Sequence, residues 1–408
     1  MPSSLSHIRV LDLSRVLAGP WCSQHLADLG AEVIKIERPG SGDETRAWGP
    51  PYLQDADGND TSEAGYYLSC NRGKKSLTLD ISTPEGQDIV RKLAAKSDVV
   101  LENYKVGQLK KYGLSYQDLN AINPRIVYCS ITGFGQTGPW SHRPGYDFII
   151  QGLGGLMSIT GERDDLPGGG PQKVGVAVTD LMTGMYATIA ILAALTHREH
   201  SGAGQYIDMA LLDVSVAMLA NMNMNYLTSG QVPKRWGNAH PNVVPYQVFA
   251  CGDGHIIVAV GNDGQYRKFC EVLGVPMLGN DARFATNSDR IRNRGALIPL
   301  LETLVKKRTR DDWVNLLEAA GVPCGPINNI DQVFDNPQVK ARGIKVEIPH
   351  PLGGSVPQVA SPMRFSATPI EYDAAPPTLG QHNEYVLREL LGIHVDEIER
   401  LRQTNVID

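Results

Sequence analysis

The sequence predicts an α/β fold: a large, doubly wound domain on a parallel sheet, with a smaller α+β domain beside it. Two features predict this. Short runs rich in Val, Ile and Leu alternate with segments of helical periodicity through the first half of the chain, and the alternation stops at the Pro-, Gly- and Asn-rich stretch QVPKRWGNAHPNVVPYQ. At 408 residues, 42% hydrophobic and 20% charged, the chain can form two or three compact units of ordinary globular composition.

Taken in order, HIRVLDLS reads as a strand, AGPWCSQHLADLG as a helix with Pro20 in its first turn, and AEVIKIE as a second strand. The unit recurs as KSLTLDI, PEGQDIVRKLAAKS and DVVLENY, and again as LSYQDLNAINP followed by RIVYCSITGF. KVGVAV reads as a strand ending at Thr179, LMTGMYATIAILAALTHRE as a buried helix, and GQYIDMALLDVSVAMLANMNMNYLTSG as a strand entering one long helix. Residues 1–227 therefore form the first part of the large domain. Residues 228–330 form the small one, with VFACGDGHIIVAV as two strands around a turn, and residues 331–408 return to the large domain through IKVEIPHP and a terminal acidic helix.

A net charge of −6 leaves no footprint for nucleic acid. The six cysteines form no CxxC pair and no His stands at ligand spacing from them, so neither disulfides nor a metal site are expected, which suits a reducing, cytoplasmic setting. No cleaved targeting segment is expected either, because MPSSLSHIRVLDLS enters a strand pattern at once. The apolar stretch from Val174 to Leu195 approaches membrane-spanning length, but Asp180 and three small or polar residues interrupt it, so a buried strand and helix are expected instead.

The first βα turn, SRVLAGPWC, stands where a dinucleotide-binding protein carries GxGxxG. Only Gly19 is present and Pro20 removes a backbone N–H, which argues against a nicotinamide cofactor. Basic residues do gather at the expected C-terminal ends of strands: Arg38, then Arg72, Lys74 and Lys75, then Lys105, Lys110 and Lys111. They are either solvated loop charges or a set converging on phosphates.

Asp180 is the residue that most needs an explanation, because an isolated carboxylate is costly to bury. Between KVGVAV and the helix it is placed to act as N-cap, where free N–H groups and the helix dipole hold the anion charged. Capping is one account of it; a nucleophile or base at the sheet edge is the other. Tyr146 and Asp147 precede a small-residue run, and a Tyr there packs more often than it reacts. GNDGQ, residues 261–265, is either a simple turn with Asp263 as helix cap or a mobile loop over a ligand.

LDLSRVLAGP, GAEVIKIERPGSGDETRAWGPP, NRGKKSLTLDI, ENYKVGQLKKYGLSYQDL, GYDFIIQGLGGLMSITG and VAVTDLMTGMYA together resemble the class III CoA-transferases, the formyl-CoA and carnitine CoA-transferase group, in order along nearly the whole chain. Within that group RWGNAHPNVVPYQVF, GVPCGPINNIDQVF and LGQHNEYVL are most similar to members acting on succinyl-CoA and glutarate. The resemblance implies a Rossmann-like large domain and an interlocked homodimer. It also implies CoA transfer from an acyl-CoA to a small carboxylic acid, with the CoA thioester as substrate and no further cofactor. Asp180 would then be the nucleophile, passing through an anhydride and an aspartyl-CoA thioester. Arg38, Asn103 and Lys111, with Arg72 and Lys75 as further candidates, would contact the CoA nucleotide and phosphates. Trp48, Tyr146, Gly261, Asn262, Gly264 and Gln265 would line the acyl site, and Arg46, Arg235 and His240 would hold the far carboxylate of a dicarboxylate, Arg offering a fork matched to that group.

Leu17 and the composition of the GNDGQ loop depart from the formyl-CoA pattern, which argues against formyl and oxalate as substrates. The same fold hosts α-methylacyl-CoA racemases, which pair the Asp with a His where this chain has Tyr146. A phenol, with its usual pKa of about 10, is poorly placed to exchange a proton reversibly. A CoA-binding protein without catalysis is the remaining alternative, and it would bind CoA without exchanging it.

Overall fold

The computed structural model describes residues 3–408. The chain divides into two compact units: Met1–Leu156, Val174–Thr228 and Lys340–Asp408 form one, and Met157–Lys173 with Ser229–Val339 form the other.

The first unit is built on six parallel strands: β1 (Arg9–Asp12), β2 (Glu32–Glu37), β3 (Lys74–Thr78), β4 (Val99–Glu102), β5 (Val127–Thr132) and β6 (Tyr206–Ala210). They lie in the order β3-β2-β1-β4-β5-β6, with Leu11 of β1 opposite Ile34 on one side and Val100 on the other. Both faces are covered, which is why the strands read as near-continuous apolar runs. Val10, Val33, Val99 and Cys129 meet helices α1 (Ala18–Asp28) and α5 (Val178–Ser201) through Cys22, Leu26, Ala187 and Ile191. On the opposite face Leu11, Ile34, Leu77 and Val100 meet α2 (Pro84–Ala94) through Ile89 and Leu93. The C-terminal segment completes that face with Val386, Leu387, Ile398 and Leu401, and each such fully buried aliphatic side chain stabilises by roughly 1.5–3 kcal/mol.

α1 and α5 pack closely because of Gly184. A Cβ there would stand 2.7 Å from the Ala18 carbonyl and 3.0 Å from the Trp21 ring. Further elements of this unit are α3 (Tyr116–Ile122), α4 (Asp147–Leu153), α6 (Leu211–Ala217) and α7 (Ala220–Ser229).

Three sequence expectations change here. Residues 173–177 form no strand; an irregular segment runs directly into α5. The single long helix expected after β6 is broken into α6 and α7, at Ala220, whose φ of 44° lies in the left-handed region that an L-residue rarely adopts. The segment Met157–Lys173, expected in the large domain, belongs to the second unit.

The second unit carries a small antiparallel sheet, β9-β8-β7, from β7 (Tyr246–Cys251), β8 (Gly254–Ala259) and β9 (Cys324–Gly325). Its core gathers Phe249, Ile256, Phe269, Leu297, Leu301 and Trp313. Helix α8 (Asp263–Val272) is capped by Asn262, whose side chain accepts from Gln265 N at 2.9 Å. Asp263 is therefore not the cap; it pairs instead with the fully buried Arg290 at 2.8 Å.

Candidate active site

In an open parallel sheet, ligands bind beyond the C-terminal ends of the strands where the strand order reverses. Here the chain passes from β1 to β2 and β3 in one direction and from β4 to β5 and β6 in the other, so the switch point lies between β1 and β4. A cavity of about 170 Å³ opens at that place, lined by Val16, Leu17 and Ala18 after β1, Asn103 and Tyr104 after β4, Gly133 after β5, and Tyr146 and Asp180.

The turn after β1 is strained and firmly held. Val16 has φ of 70°, an outlier for a β-branched residue, and such strain persists only where surroundings over-determine it. Asn103 supplies one restraint: its Oδ1 accepts from Arg15 N at 2.9 Å and its Nδ2 donates to Arg15 O at 2.7 Å. Asp43 supplies the other, accepting from Val16 N at 3.2 Å. No side chain caps the start of α1, where Leu17 and Ala18 line the cavity.

Asp180 lies in the first turn of α5, whose N-cap position is Ala177. The expectation that Asp180 itself is the cap is thus corrected. The carboxylate doing that work is Asp147, the first residue of α4: its Oδ1 accepts from Thr179 N at 2.8 Å and Asp180 N at 3.3 Å, and its Oδ2 accepts from Gln151 Nε2 at 2.6 Å. Asp180 is half-buried, and its carboxylate has no hydrogen-bond or cationic partner among the described residues. Burial, and next the Asp147 charge, push its pKa up to about 7. The helix end therefore does not keep the group fully ionised at neutral pH. On either side, the Thr179 and Thr183 hydroxyls are buried without partners among the described residues. Nearby Tyr66 is raised to about 12 by burial and the Asp180 charge, and Trp48 stacks edge-on against it at 5.1 Å.

The other candidates divide sharply. Arg38 is exposed and lines a second cavity of about 410 Å³ with Leu79, Ser82 and Tyr112, while Lys111 is exposed on the adjoining turn Leu109–Tyr112. Asn103 reaches the site as a backbone clamp. Arg72 is held by Asp28 through two bonds of 2.7 Å and donates to Val359 O, and Lys75 pairs with Glu32 at 2.6 Å over the Tyr385 ring. Arg46 is a correction: it is buried, bonded to Glu37, Glu63, the Tyr67 hydroxyl and Pro377 O, and has no donor left for a substrate carboxylate.

Four of the candidates cap and shape α8 in the second unit: Gly261 N donates to Gln265 Oε1 at 2.8 Å, Asn262 accepts from the N–H of Gln265 three residues on, and Gly264 lies in the first turn between them. Arg235 in that unit is likewise engaged, by Asp164, Ser158 O and Glu162 O. His240 packs on Tyr246, and burial followed by the Arg294 charge lowers its pKa. Two arginines were missed. Arg15 follows β1 within the quoted SRVLAGP, and Arg294 lies over Trp236 with Nη1 buried and unpaired among the described residues. Among the described residues no cluster of His, Cys, Asp and Glu could hold a metal ion, and all six cysteines are free.

Comparison with known proteins adds three findings. The profile of CoA-transferase family III matches residues 5–383. The chain is 52% identical over 386 residues to a succinate--glutarate CoA-transferase of Agrobacterium fabrum, covering 95% of each, and 44% identical over 404 residues to the human succinyl-CoA:glutarate CoA-transferase, covering 99% of this chain and 90% of the relative. A crystal structure of a CAIB/BAIF family protein from Brucella suis superposes with a TM-score of 0.83 at 51% identity, covering 96% of this chain and all of the other.

Proposed function

The chain belongs to CoA-transferase family III, and on that premise we propose that it transfers coenzyme A between succinyl-CoA and glutarate, with Asp180 as the covalent nucleophile. The observation that carries this reading is a carboxylate without partners, half-buried in the switch-point cavity, with its pKa near neutrality.

An Asp held by cations would be a poor nucleophile. Asp180 has none, so its anion is basic and reactive once formed, while its burial limits the access of water to the intermediates. The ionised Oδ attacks the thioester carbonyl of succinyl-CoA, the C–S bond breaks, and CoA leaves as thiolate with a mixed anhydride on Asp180. The thiolate then attacks the Asp180 carbonyl carbon, releasing succinate and leaving aspartyl-CoA. A glutarate carboxylate attacks that thioester, forming a second anhydride, and the released thiolate attacks its glutaryl carbonyl to give glutaryl-CoA and free Asp180. The uncapped N–H groups at the start of α1 are suited to the oxyanion that develops at each addition. Asp147 acts as a positioning residue: it fixes the first turn of α5 and raises the Asp180 pKa, and it touches no reacting atom.

Arg38 and Lys111 are suited to the nucleotide end of CoA, beside the larger cavity. A homodimer is part of the proposal, supported by the exposed apolar side chains Phe148, Ile149 and Leu153 on α4 and Tyr186 and Ile189 on α5. α5 is long and apolar enough to cross a membrane by length and composition; Ala187, Ile191 and Ala194 bury one side of it on the sheet, and with the free cysteines this favours a cytoplasmic enzyme. The test is a panel assay with succinyl-CoA against glutarate, adipate, itaconate, malate, oxalate and carnitine. Glutaryl-CoA formation with ping-pong kinetics is expected, and the proposal fails if CoA is bound but never exchanged.

A further inference from the structure

The switch-point cavity holding Asp180 and the larger cavity holding Arg38 are separate, yet three residues line both: Arg15, Glu44 and Tyr104. Those three form the wall between them. Arg15 and Glu44 are joined across it by an ion pair between Arg15 Nη1 and Glu44 Oε1, and the guanidinium lies over the Tyr104 ring at 5.2 Å from its centre. The pair is half-exposed, with side chains 42% and 46% accessible, so it holds the free protein together only weakly. Arg15 Nε, in contrast, is buried without a partner among the described residues, which leaves part of a guanidinium fork unmatched.

The backbones on either side are anchored. Asn103 clamps Arg15 through both its N–H and its carbonyl, and Asp43 holds Val16 while capping the turn that begins at Glu44. Only the two side chains are free to change partners.

An acyl-CoA has its reacting carbonyl at the end of a pantetheine arm and its adenosine at the other end, with a diphosphate between. On the reading given above, the carbonyl meets Asp180 in one cavity and the nucleotide lies near Arg38 in the other. The diphosphate must then cross the shared wall. A guanidinium fork matches phosphate oxygens in two-point geometry and a diphosphate carries more charge than one carboxylate, whereas Glu44 repels it. We infer that Arg15 and Glu44 form an exchangeable latch: Arg15 gives up Glu44 and takes the CoA diphosphate, and Glu44 sets the threshold for that exchange.

This inference rests on the CoA-transfer reading, and the experiment separates the two. KM and kcat are measured at fixed glutarate with succinyl-CoA and with succinyl-pantetheine, which carries no diphosphate, for the wild-type protein and the R15M, R15K and E44Q variants. R15M is expected to raise KM for succinyl-CoA by tenfold or more with kcat little changed, R15K by less, and E44Q to lower it severalfold, most at low ionic strength. KM for succinyl-pantetheine is expected to stay within twofold for all three. Equal losses on both donors in R15M, or a raised KM for succinyl-CoA in E44Q, would overturn the latch. If the wild-type protein turns over neither donor, the CoA-transfer reading itself has failed.

Discussion

Two groups of buried carboxylates lie within the same unit and are treated in opposite ways. Beneath the C-terminal ends of β1 and β2, burial alone would raise Asp12, Glu37 and Asp43, yet all three stay below the usual carboxylate range. Lys74 and Lys35 face Asp12, Arg46 faces Glu37, and Lys35 with the Thr45 N–H holds Asp43 at about 2. Asp180 has the burial without the cations, and is raised to about 7. Glu102 is the instructive intermediate: burial raises it to about 7 as well, but Ser130 and the Tyr104 N–H occupy its two oxygens. The lesson is that burial makes a carboxylate basic, and the absence of partners is what leaves it available to react.

The comparison can be broken most forcefully at Asp180. D180N should lower transfer activity by at least about a thousandfold, since a side-chain amide cannot take the place of the attacking carboxylate. In the cation-rich network the damage should instead fall on folding. R46M leaves Glu37 and Glu63 buried beside one another without their shared guanidinium, at a cost of about 3–5 kcal/mol in a denaturant melt.

The pH slopes should also oppose each other. Asp43, held low, contributes stability that is present above its unfolded value and is lost as pH falls towards about 2. Asp180, held high, costs stability as pH rises from its ordinary value near 4 to about 7. The Tm of D180N should therefore exceed that of the wild type increasingly across that interval and level off above it. Over the same interval kcat/KM of the wild type should climb as Asp180 ionises, with its midpoint near 7. The smallest effect is expected from D147N: the Asn still caps α5, and loss of the neighbouring charge moves the midpoint to lower pH, by less than burial contributes.

The parallel sheet was legible because strands covered on both faces carry runs such as EVIKIE and VVLE between helices of clear period. Asp180 was legible as a charge within an apolar stretch. What the sequence hid was partnership. Arg46 reads like any exposed loop arginine until Glu37, Glu63 and Tyr67 are brought to it from three other segments. Asp147 and Asp180 are far apart in sequence, so no local pattern reveals that one caps the helix of the other. Arg15 has no local signal in its turn, because what marks it is the strain at Val16 and the clamp from Asn103, 88 residues away in the chain.

The most direct measurement is chemical trapping at position 180. The protein is incubated with succinyl-CoA, treated with borohydride, digested and analysed by peptide mass spectrometry. Reduction of an aspartyl thioester converts that side chain to the alcohol, and the account predicts this change at Asp180 alone, dependent on the acyl-CoA. An unmodified Asp180 peptide from a preparation actively transferring CoA would contradict it.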